Sequence, residues 1–270
     1  MVQRRTGRDG GTRPHLGDRA RPQPRDDARE PETIQGLRAG LAVFARRPDE
    51  VLRVAFSREV RHEVAPLARW AQQHRVPCEE VGDKELDRIA DSSHHEGLCV
   101  LAEPRRWLPA AELADLLART RGTAVALDRV RNPYNVGAVL RSAAFFGVEA
   151  LILGTPAPHP GLPPTAVRVA EGGAEHVQLA RTTDLADTLA RLRQRGVRVI
   201  GADGRATASV RGFAYGRPAV VVMGNEREGL GDRVRAQCDA LVAVRGTSAV
   251  ESLNVGVAAG ILVAEMTARG

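Results

Sequence analysis

The stretch from Thr123 to Leu153 most constrains the fold, because two apolar segments enclose a polar crossover and an amphipathic helix. Residues 123–127 and 148–153 are apolar at nearly every position, which is typical of strands buried on both faces of a parallel sheet. Parallel strands need a crossover connection, usually a helix. The stretch therefore predicts one β-α-β unit of an open α/β sheet.

The crossover is a polar loop followed by a helix. Pro133 marks the loop, and Asn135 is expected to cap the helix, which runs to about Phe146 and stops at Gly147. Arg141 lies off the apolar stripe of this helix and is expected to point toward the cleft at the carboxyl ends of the strands. Open α/β sheets bind their ligands at that edge.

The chain of 270 residues is long enough for more than one domain, and changes in composition divide it into four parts. Residues 1–32 are rich in Arg and poor in large apolar residues, so we expect a disordered arm. A helix-like pattern begins at Ile34, and the alternation of helical and strand patterns after it predicts a small α/β domain at 33–104. A linker with one short helix follows at 105–120, and the main α/β domain occupies 121–270.

The positive charge of the chain is almost entirely guanidinium. Only Lys84 among the 39 basic residues is a lysine, and the net charge is +6 with a pI near 10.1. Guanidinium groups bind phosphate in a forked geometry, so a polyanionic partner such as RNA is compatible with this composition. A codon bias toward Arg explains the preference for Arg over Lys equally simply.

Cysteine and histidine positions argue against disulfides and metal. The three cysteines, Cys78, Cys99 and Cys238, form no C-x-x-C pair, which favours a reducing cytoplasm. His94 and His95 stand near Cys99, but adjacent His side chains diverge, so a polar turn is favoured over a zinc site. No leader and no long apolar run is present, so we expect a soluble protein without a membrane segment.

The β-α-β alternation continues beyond the opening unit. Residues 155–176 contain so much Pro and Gly that we expect irregular structure until a strand near Val177. In that segment Arg168, Glu171, Gly172 and Gly173 either line the cleft or form a plain turn. A helix capped by Thr183 and three further apolar strands follow, the last leading into a final apolar helix.

Three motifs lie at the predicted carboxyl edge of the main sheet, where neither a G-x-G-x-x-G nor a P-loop motif occurs. They are N-x-G-x-x-x-R at 135–141, M-G-x-E-x-x-G-L at 223–230 and S-L-N-V at 252–255. Together they resemble the SpoU (TrmH) family, and the resemblance covers roughly residues 121–268. The Arg168–Gln178 stretch is similar to a branch of that family with an extra amino-terminal RNA-binding domain.

The resemblance implies an S-adenosylmethionine-dependent methyltransferase that acts on a ribose 2′-hydroxyl of rRNA or tRNA, with rRNA favoured. It also implies a homodimer and a parallel sheet with helices on both faces and a carboxyl-terminal trefoil knot of the SPOUT type. Unaided topology rules would have predicted an unknotted sheet. A non-catalytic RNA-binding protein that retains the fold is the alternative.

The resemblance also implies the site residues. The expected cofactor-binding residues are Gly224, Asn225, Val244 and Leu253. The expected catalytic residues are Arg141, Asn135, Glu226, Ser252 and Asn254. A guanidinium stays protonated at neutral pH, so Arg141 is better suited to anchor a phosphate or oxyanion than to act as the base. The general base is left unassigned, and no metal is expected.

Two departures from the family pattern concern the cofactor loop and the last helix. Val244-Arg245-Gly246 replaces the frequent Ile-Pro-Met, and Gly256 replaces a frequent Ser or Ala. The helix from Leu253 to Met266 carries several Gly and Ala residues that allow close helix packing. We therefore expect this helix to help form a symmetric dimer.

Overall fold

The computed structural model describes residues 30–154, 161–247 and 249–268. The predicted arm at 1–32 lies outside the described residues except for its last three, and Glu32 is already the first residue of a strand. The chain from Pro31 onward forms one compact unit that contains two sheets.

The first sheet has four strands and is built from residues before the predicted linker. Its strands follow the order β1-β4-β2-β3, with β1 and β2 antiparallel to β4, and β3 parallel to β2. The elements are β1 (Glu32–Gln35), α1 (Leu37–Arg46), β2 (Val51–Phe56), α2 (Arg61–His74), β3 (Cys78–Glu80), α3 (Asp83–Ala90) and β4 (Leu98–Ala102).

The second sheet has seven strands, all parallel to their neighbours, in the order β7-β6-β5-β10-β8-β11-β9. Its strands are β5 (Thr123–Asp128), β6 (Ala150–Gly154), β7 (Gln178–Thr182), β8 (Arg198–Ala202), β9 (Ala208–Ser209), β10 (Ala219–Gly224) and β11 (Ala240–Ala243). The helices are α4 (Ala110–Thr120), α5 (Pro133–Phe145), α6 (Pro164–Val169), α7 (Leu185–Gln194), α8 (Asp232–Arg235) and α9 (Val255–Thr267).

Helices cover both faces of the parallel sheet. Alternate residues of a strand point to opposite faces, so Val125 packs in one core cluster with Leu140 of α5 and Val263 of α9. Ala124 packs in the other cluster with Leu117 of α4, among other residues. The predicted α/β fold, with a small α/β domain in front of a parallel sheet, is confirmed. The trefoil knot and the domain boundaries stay predictions.

Three local predictions outside the motifs were wrong. The helix expected from Ile34 begins at Leu37, because Ile34 and Gln35 pair with β4 and Gly36 turns the chain with a φ of 103°. A short apolar run cannot be assigned to strand or helix from periodicity alone. The cap of α7 is Asp184 rather than Thr183, since the Asp184 carboxylate accepts a hydrogen bond from the Asp187 amide.

The third concerns the Pro- and Gly-rich segment. Residues 155–160 lie outside the described residues, but the part from residue 161 onward contains regular structure. Helix α6 begins at Pro164, in the first helical turn, where the missing proline N–H would be unpaired anyway. Its Ala166 and Val167 are buried, so packing outweighs the composition. A turn of 3₁₀-helix follows at Gly173–Glu175.

Candidate functional site

The three motifs meet at one edge of the parallel sheet. Strands β5, β10 and β11 are parallel members of one sheet, so their carboxyl ends lie at the same edge. The loops after these strands carry residues 129–132, 225–231, and 244–247 with 249–254. Helices α5 and α9 also begin there, which brings their amino-terminal residues to the same place.

One residue from each motif forms a hydrogen-bonded cluster, which we call the Asn135 cluster. The Asn254 Nδ2 donates to Asn135 Oδ1 at 2.9 Å, and the Asn135 Nδ2 donates to Glu226 Oε1. Asn135 is only 8% exposed, whereas Glu226 and Asn254 are exposed. A buried amide with both ends bonded has a fixed orientation. The cluster therefore presents a rigid polar surface at the sheet edge.

The predicted capping role of Asn135 was wrong. The side chain of Asn132 caps α5 by accepting a hydrogen bond from the Tyr134 amide at 3.0 Å, and Pro133 occupies the first helical position. Asn135 lies inside the first turns of the helix. Its side chain is therefore free of a capping role and is available to the cluster.

Asn254 both caps a helix and belongs to the cluster. Its Oδ1 accepts hydrogen bonds from the Gly256 amide at 2.8 Å and the Val257 amide at 3.4 Å, at the start of α9. Its Nδ2 is thereby left for Asn135. The final helix thus begins two residues later than predicted, and its first turn is tied directly to the cluster.

The loop after β10 is shaped by its own backbone. The Asn225 Oδ1 accepts from the Arg227 and Glu228 amides at 3.0 and 2.8 Å, and the Gly229 amide donates to the Asn225 carbonyl at 3.0 Å. A Cβ at Gly224 would lie 2.0 Å from the Gly229 carbonyl carbon. Gly224 is therefore required by the close return of this loop, and the Asn225 side chain is used within it.

Asp128 and Arg129, at the end of β5, hold the same loop, and the sequence interpretation missed them as site residues. Asp128 is 4% exposed, and its carboxylate accepts from the Gly231 amide at 2.8 Å. Arg129 bonds the Glu228 carboxylate and, at 3.2 Å, the Gly229 carbonyl. Hydrogen bonding to Asp128 is the main cause that raises the pKa of Arg129. An acid-base pair directly after a buried strand was the signal available in the sequence.

Arg141 does not join the Asn135 cluster within one chain. Its side chain is 62% exposed, and its Nη1 lies 3.8 Å from Glu171 Oε1. The two side chains start six positions apart on α5, which is about 9 Å of helix rise. The Arg141 guanidinium therefore lies apart from the Asn135 cluster within one chain.

Ser252, Val244 and Leu253 lie in the loops next to the cluster. Ser252 is exposed, and its hydroxyl bonds none of the residues that the structure describes. Val244 is half-buried and packs against the core, while Leu253 is 43% exposed. The amides of residues 244–247 and 249–253 also donate no hydrogen bond to the described residues.

This surface fits S-adenosylmethionine. Unpaired main-chain donors can bind the polar edge of an adenine, and the partly exposed apolar side chains Val244 and Leu253 can contact its faces. Arg245, which departs from the family pattern, holds the loop in place by donating to the carbonyls of Ala206 and Thr207 at 2.8 and 2.6 Å. These hydrogen bonds to the neighbouring backbone accommodate the Arg245 side chain in the loop.

Other features that could form sites lie away from this edge of the sheet. A groove of about 770 Å³ lies at the opposite edge of the sheet, lined by Gly122 and Gln178 at the amino ends of strands. His95 bonds Asp87 and the Gly97 amide at 3.2 and 3.1 Å in the predicted polar turn. Within the described ranges, no three metal-ligating side chains converge, and no helix is long and apolar enough to cross a membrane.

Comparison with known proteins supports the same assignment. Residues 122–264 match the family model of the SpoU rRNA methylase family, and residues 33–108 match the domain described as RNA 2′-O ribose methyltransferase substrate binding. The chain belongs to the SpoU rRNA methylase family. As a member, it is an RNA 2′-O-ribose methyltransferase that uses S-adenosylmethionine.

Similar proteins include enzymes of known and unknown target. A 23S rRNA (guanosine-2′-O-)-methyltransferase of Vibrio vulnificus is 33% identical over 87% of this chain and 95% of its own length. An uncharacterized tRNA/rRNA methyltransferase of Mycobacterium ulcerans is 34% identical over 92% of this chain and 82% of its own. The AdoMet-bound rRNA methyltransferase of Sinorhizobium meliloti is 25% identical, with a TM-score of 0.70 over 88% of this chain and 87% of that chain.

Proposed function

We propose that this protein methylates the ribose 2′-hydroxyl of a guanosine in 23S rRNA, in the cytoplasm. Relatives named for that reaction match almost their whole length to this chain. The observation that carries the proposal is the Asn135 cluster, because all three motifs contribute to one hydrogen-bonded surface beside the cofactor loops. The small domain at 33–104 binds the RNA substrate, which the match at residues 33–108 supports.

The cofactor is held by the loops after β10 and β11. Gly224 and Asn225 shape the first loop, and Val244 and Leu253 supply apolar contacts and backbone amides from the second. When bound, S-adenosylmethionine supplies a methyl group that is already activated by a sulfonium. The protein therefore has mainly to orient the 2′-oxygen and to stabilise the charge that develops on it.

The polar residues of the site perform this orientation. Asn135, Glu226 and Asn254 form a fixed set of donors and acceptors for the ribose. Ser252, which directly precedes Leu253 and Asn254 in the chain, has an exposed hydroxyl. The Arg141 guanidinium anchors the RNA phosphate or the developing oxyanion. These roles rest on the placement of the residues and on the family motifs.

The active form is a homodimer that packs through α5 and α9. A carboxyl-terminal trefoil knot of the SPOUT type is part of the same proposal. The exposed large apolar side chains of the described residues all lie in these two helices or next to them. They are Tyr134, Phe145, Phe146, Val250, Leu253 and Val257. The two helices lie side by side, since a Cβ at Gly256 would meet the Ala138 Cβ at 3.0 Å. Such a concentrated apolar surface favours a symmetric partner. A solution mass of one chain at micromolar concentration would contradict the dimer.

The proposal is tested by methyl transfer to separated RNA classes. The protein is incubated with radiolabelled S-adenosylmethionine and with unmodified 23S rRNA, 16S rRNA or tRNA, alongside Arg141→Ala. We expect label in 23S rRNA that is lost with the variant. Label in tRNA alone would contradict the target, and the absence of both label and cofactor binding would favour a non-catalytic RNA-binding protein.

A further inference from the structure

We infer that Glu171 is a positioning residue through which the small domain sets the orientation of Arg141. The inference rests on the proposed function, since it concerns the residue proposed to anchor the RNA. It starts from the segment Glu171–Glu175, which we call the wedge. The wedge lies between α1 of the small domain and α5, the helix that carries Arg141.

The wedge packs so closely against both helices that neither of its two glycines has room for a side chain. A Cβ at Gly172 would lie 2.8 Å from the Ala42 Cβ and 3.3 Å from the Arg38 carbonyl, both in α1. A Cβ at Gly173 would lie 3.3 Å from the Arg141 Cα. A shift of α1 is therefore transmitted to the turn of α5 that bears Arg141, because close-packed groups cannot absorb it.

The backbone fixes the direction of the Glu171 side chain. Glu171 has a φ of 52° and Gly172 a φ of 89°, so two consecutive residues adopt left-handed conformations. A non-glycine residue is strained there and persists only where surrounding contacts impose it. The carboxylate of Glu171 consequently projects from an imposed backbone rather than from a freely moving loop.

Helix α1 and the residue that follows it hold both ends of the wedge by ion pairs. The Arg38 Nε lies 3.1 Å from Glu171 Oε2, and the Arg47 Nε donates to Glu175 Oε2 at 2.9 Å. The Glu175 side chain is only 6% exposed, so this second attachment is firmly buried. The small domain thus determines where the wedge lies.

The other oxygen of Glu171 faces Arg141 at 3.8 Å, so one carboxylate links Arg38 to Arg141. Both arginines are exposed, and such pairs add little to folding stability. The consequence of the link is orientation, because it restricts a long, flexible guanidinium side chain before RNA arrives. RNA bound by the small domain would act on Arg141 through this carboxylate.

The test is a double-mutant cycle on methyl transfer to unmodified 23S rRNA transcribed in vitro. We expect Glu171→Gln and Arg38→Ala each to lower kcat, by between about tenfold and a hundredfold, with the KM for RNA little changed. The double variant should be no slower than the slower single variant, because both changes break one link. Arg46→Ala is the matched control, since Arg46 is an exposed residue of α1 without an ion pair among the described residues.

Independent losses that multiply in the double variant, or an unchanged kcat in Glu171→Gln, would overturn the inference while leaving the proposed function intact. A second readout needs no RNA turnover: the Nε–Hε resonance of Arg141, identified by its loss in Arg141→Ala. It should shift in Glu171→Gln and in Arg38→Ala but not in Arg46→Ala. An unshifted resonance in the first two variants would equally overturn the inference. Failure of wild-type protein to label any RNA would instead contradict the proposed function.

Discussion

At the scale of single residues, the site depends on groups that have two partners each. Asn135 accepts a hydrogen bond with one end of its amide and donates one with the other. Asn225 uses one oxygen for two amides of its own loop. Because each of these side chains satisfies two partners, the geometry of the cluster is set by the protein before any ligand binds.

The Asn135→Ala substitution should lower methyl transfer strongly but lower stability only slightly. The variant loses both hydrogen bonds of the cluster, but Glu226 and Asn254 are exposed and water replaces the missing partner, so unfolding free energy falls by only about 1 kcal/mol. Methyl transfer should fall by about a hundredfold, because the ribose loses its fixed partners. Denaturation by urea and single-turnover kinetics measure the two effects. Equal activity in the variant and the wild-type protein would refute the role of the cluster.

Gly224→Ala should damage the loop itself. The added Cβ would overlap the backbone of Gly229, so we expect a loss of about 1–3 kcal/mol and a loss of cofactor binding in calorimetry. Gly229→Asn is the control, because Gly229 has a φ of 67° with open space around its Cα and Asn tolerates that conformation. Cofactor affinity close to wild type in Gly224→Ala would contradict this account.

At the scale of elements, the first turns of α5 and α9 bring the motifs together. Asn254 joins the two helices because its oxygen caps α9 while its nitrogen reaches Asn135 in α5. Asn254 therefore stabilises the start of α9 and also holds Asn135 in the cluster.

The Asn254→Ser substitution should keep the helix cap but remove the hydrogen bond to Asn135. Serine is as good a capping residue as asparagine but is too short to reach Asn135, so the stability loss should be limited to the lost contact, about 1 kcal/mol. Asn254→Ala should lose about 1 kcal/mol as well as the contact. Both variants should transfer methyl groups at least about tenfold more slowly than wild type. Wild-type rates in Asn254→Ser would contradict the second role of this residue.

The same scale explains how much of the molecule the sequence predicted. The β5-α5-β6 unit was predictable because continuous apolar strands and a helical stripe leave few alternatives. Strand β1 was not, since its assignment depends on pairing with β4, and α6 was not, since burial of Ala166 and Val167 outweighs its prolines. Motifs predicted the site residues, but contacts between distant loops, such as Arg129 with Glu228, required the structure.

At the scale of the whole molecule, a buried ionic cluster joins the two sheets. Glu175, beside the parallel sheet, bonds Arg47 at 2.9 Å and lies 3.4 Å from Arg105, and both arginines also pair with Glu32 of β1. Burial lowers the pKa of Arg47, but hydrogen bonds and charges from Glu50 and Glu175 outweigh that effect and raise it overall. The small domain is thereby fixed against the wedge.

Glu175→Ala should destabilise the whole chain. Removal of one partner leaves buried guanidinium groups undercompensated, which costs about 3–5 kcal/mol. Glu112→Ala, which breaks the exposed pair with Arg106, should cost no more than about 1 kcal/mol. Urea denaturation followed by circular dichroism compares the two. A loss in Glu175→Ala no larger than in the control would show that the cluster does not hold the domains together.

The central claim, that the Asn135 cluster directs methyl transfer to a ribose oxygen, is tested most directly by the position of the methyl group in the product. Unmodified 23S rRNA is incubated with the protein and S-adenosylmethionine, digested to nucleosides and analysed by mass spectrometry. We predict 2′-O-methylguanosine from the wild-type protein and almost none from Asn135→Ala. A methyl group on a base, or equal 2′-O-methylguanosine from both proteins, would contradict the account.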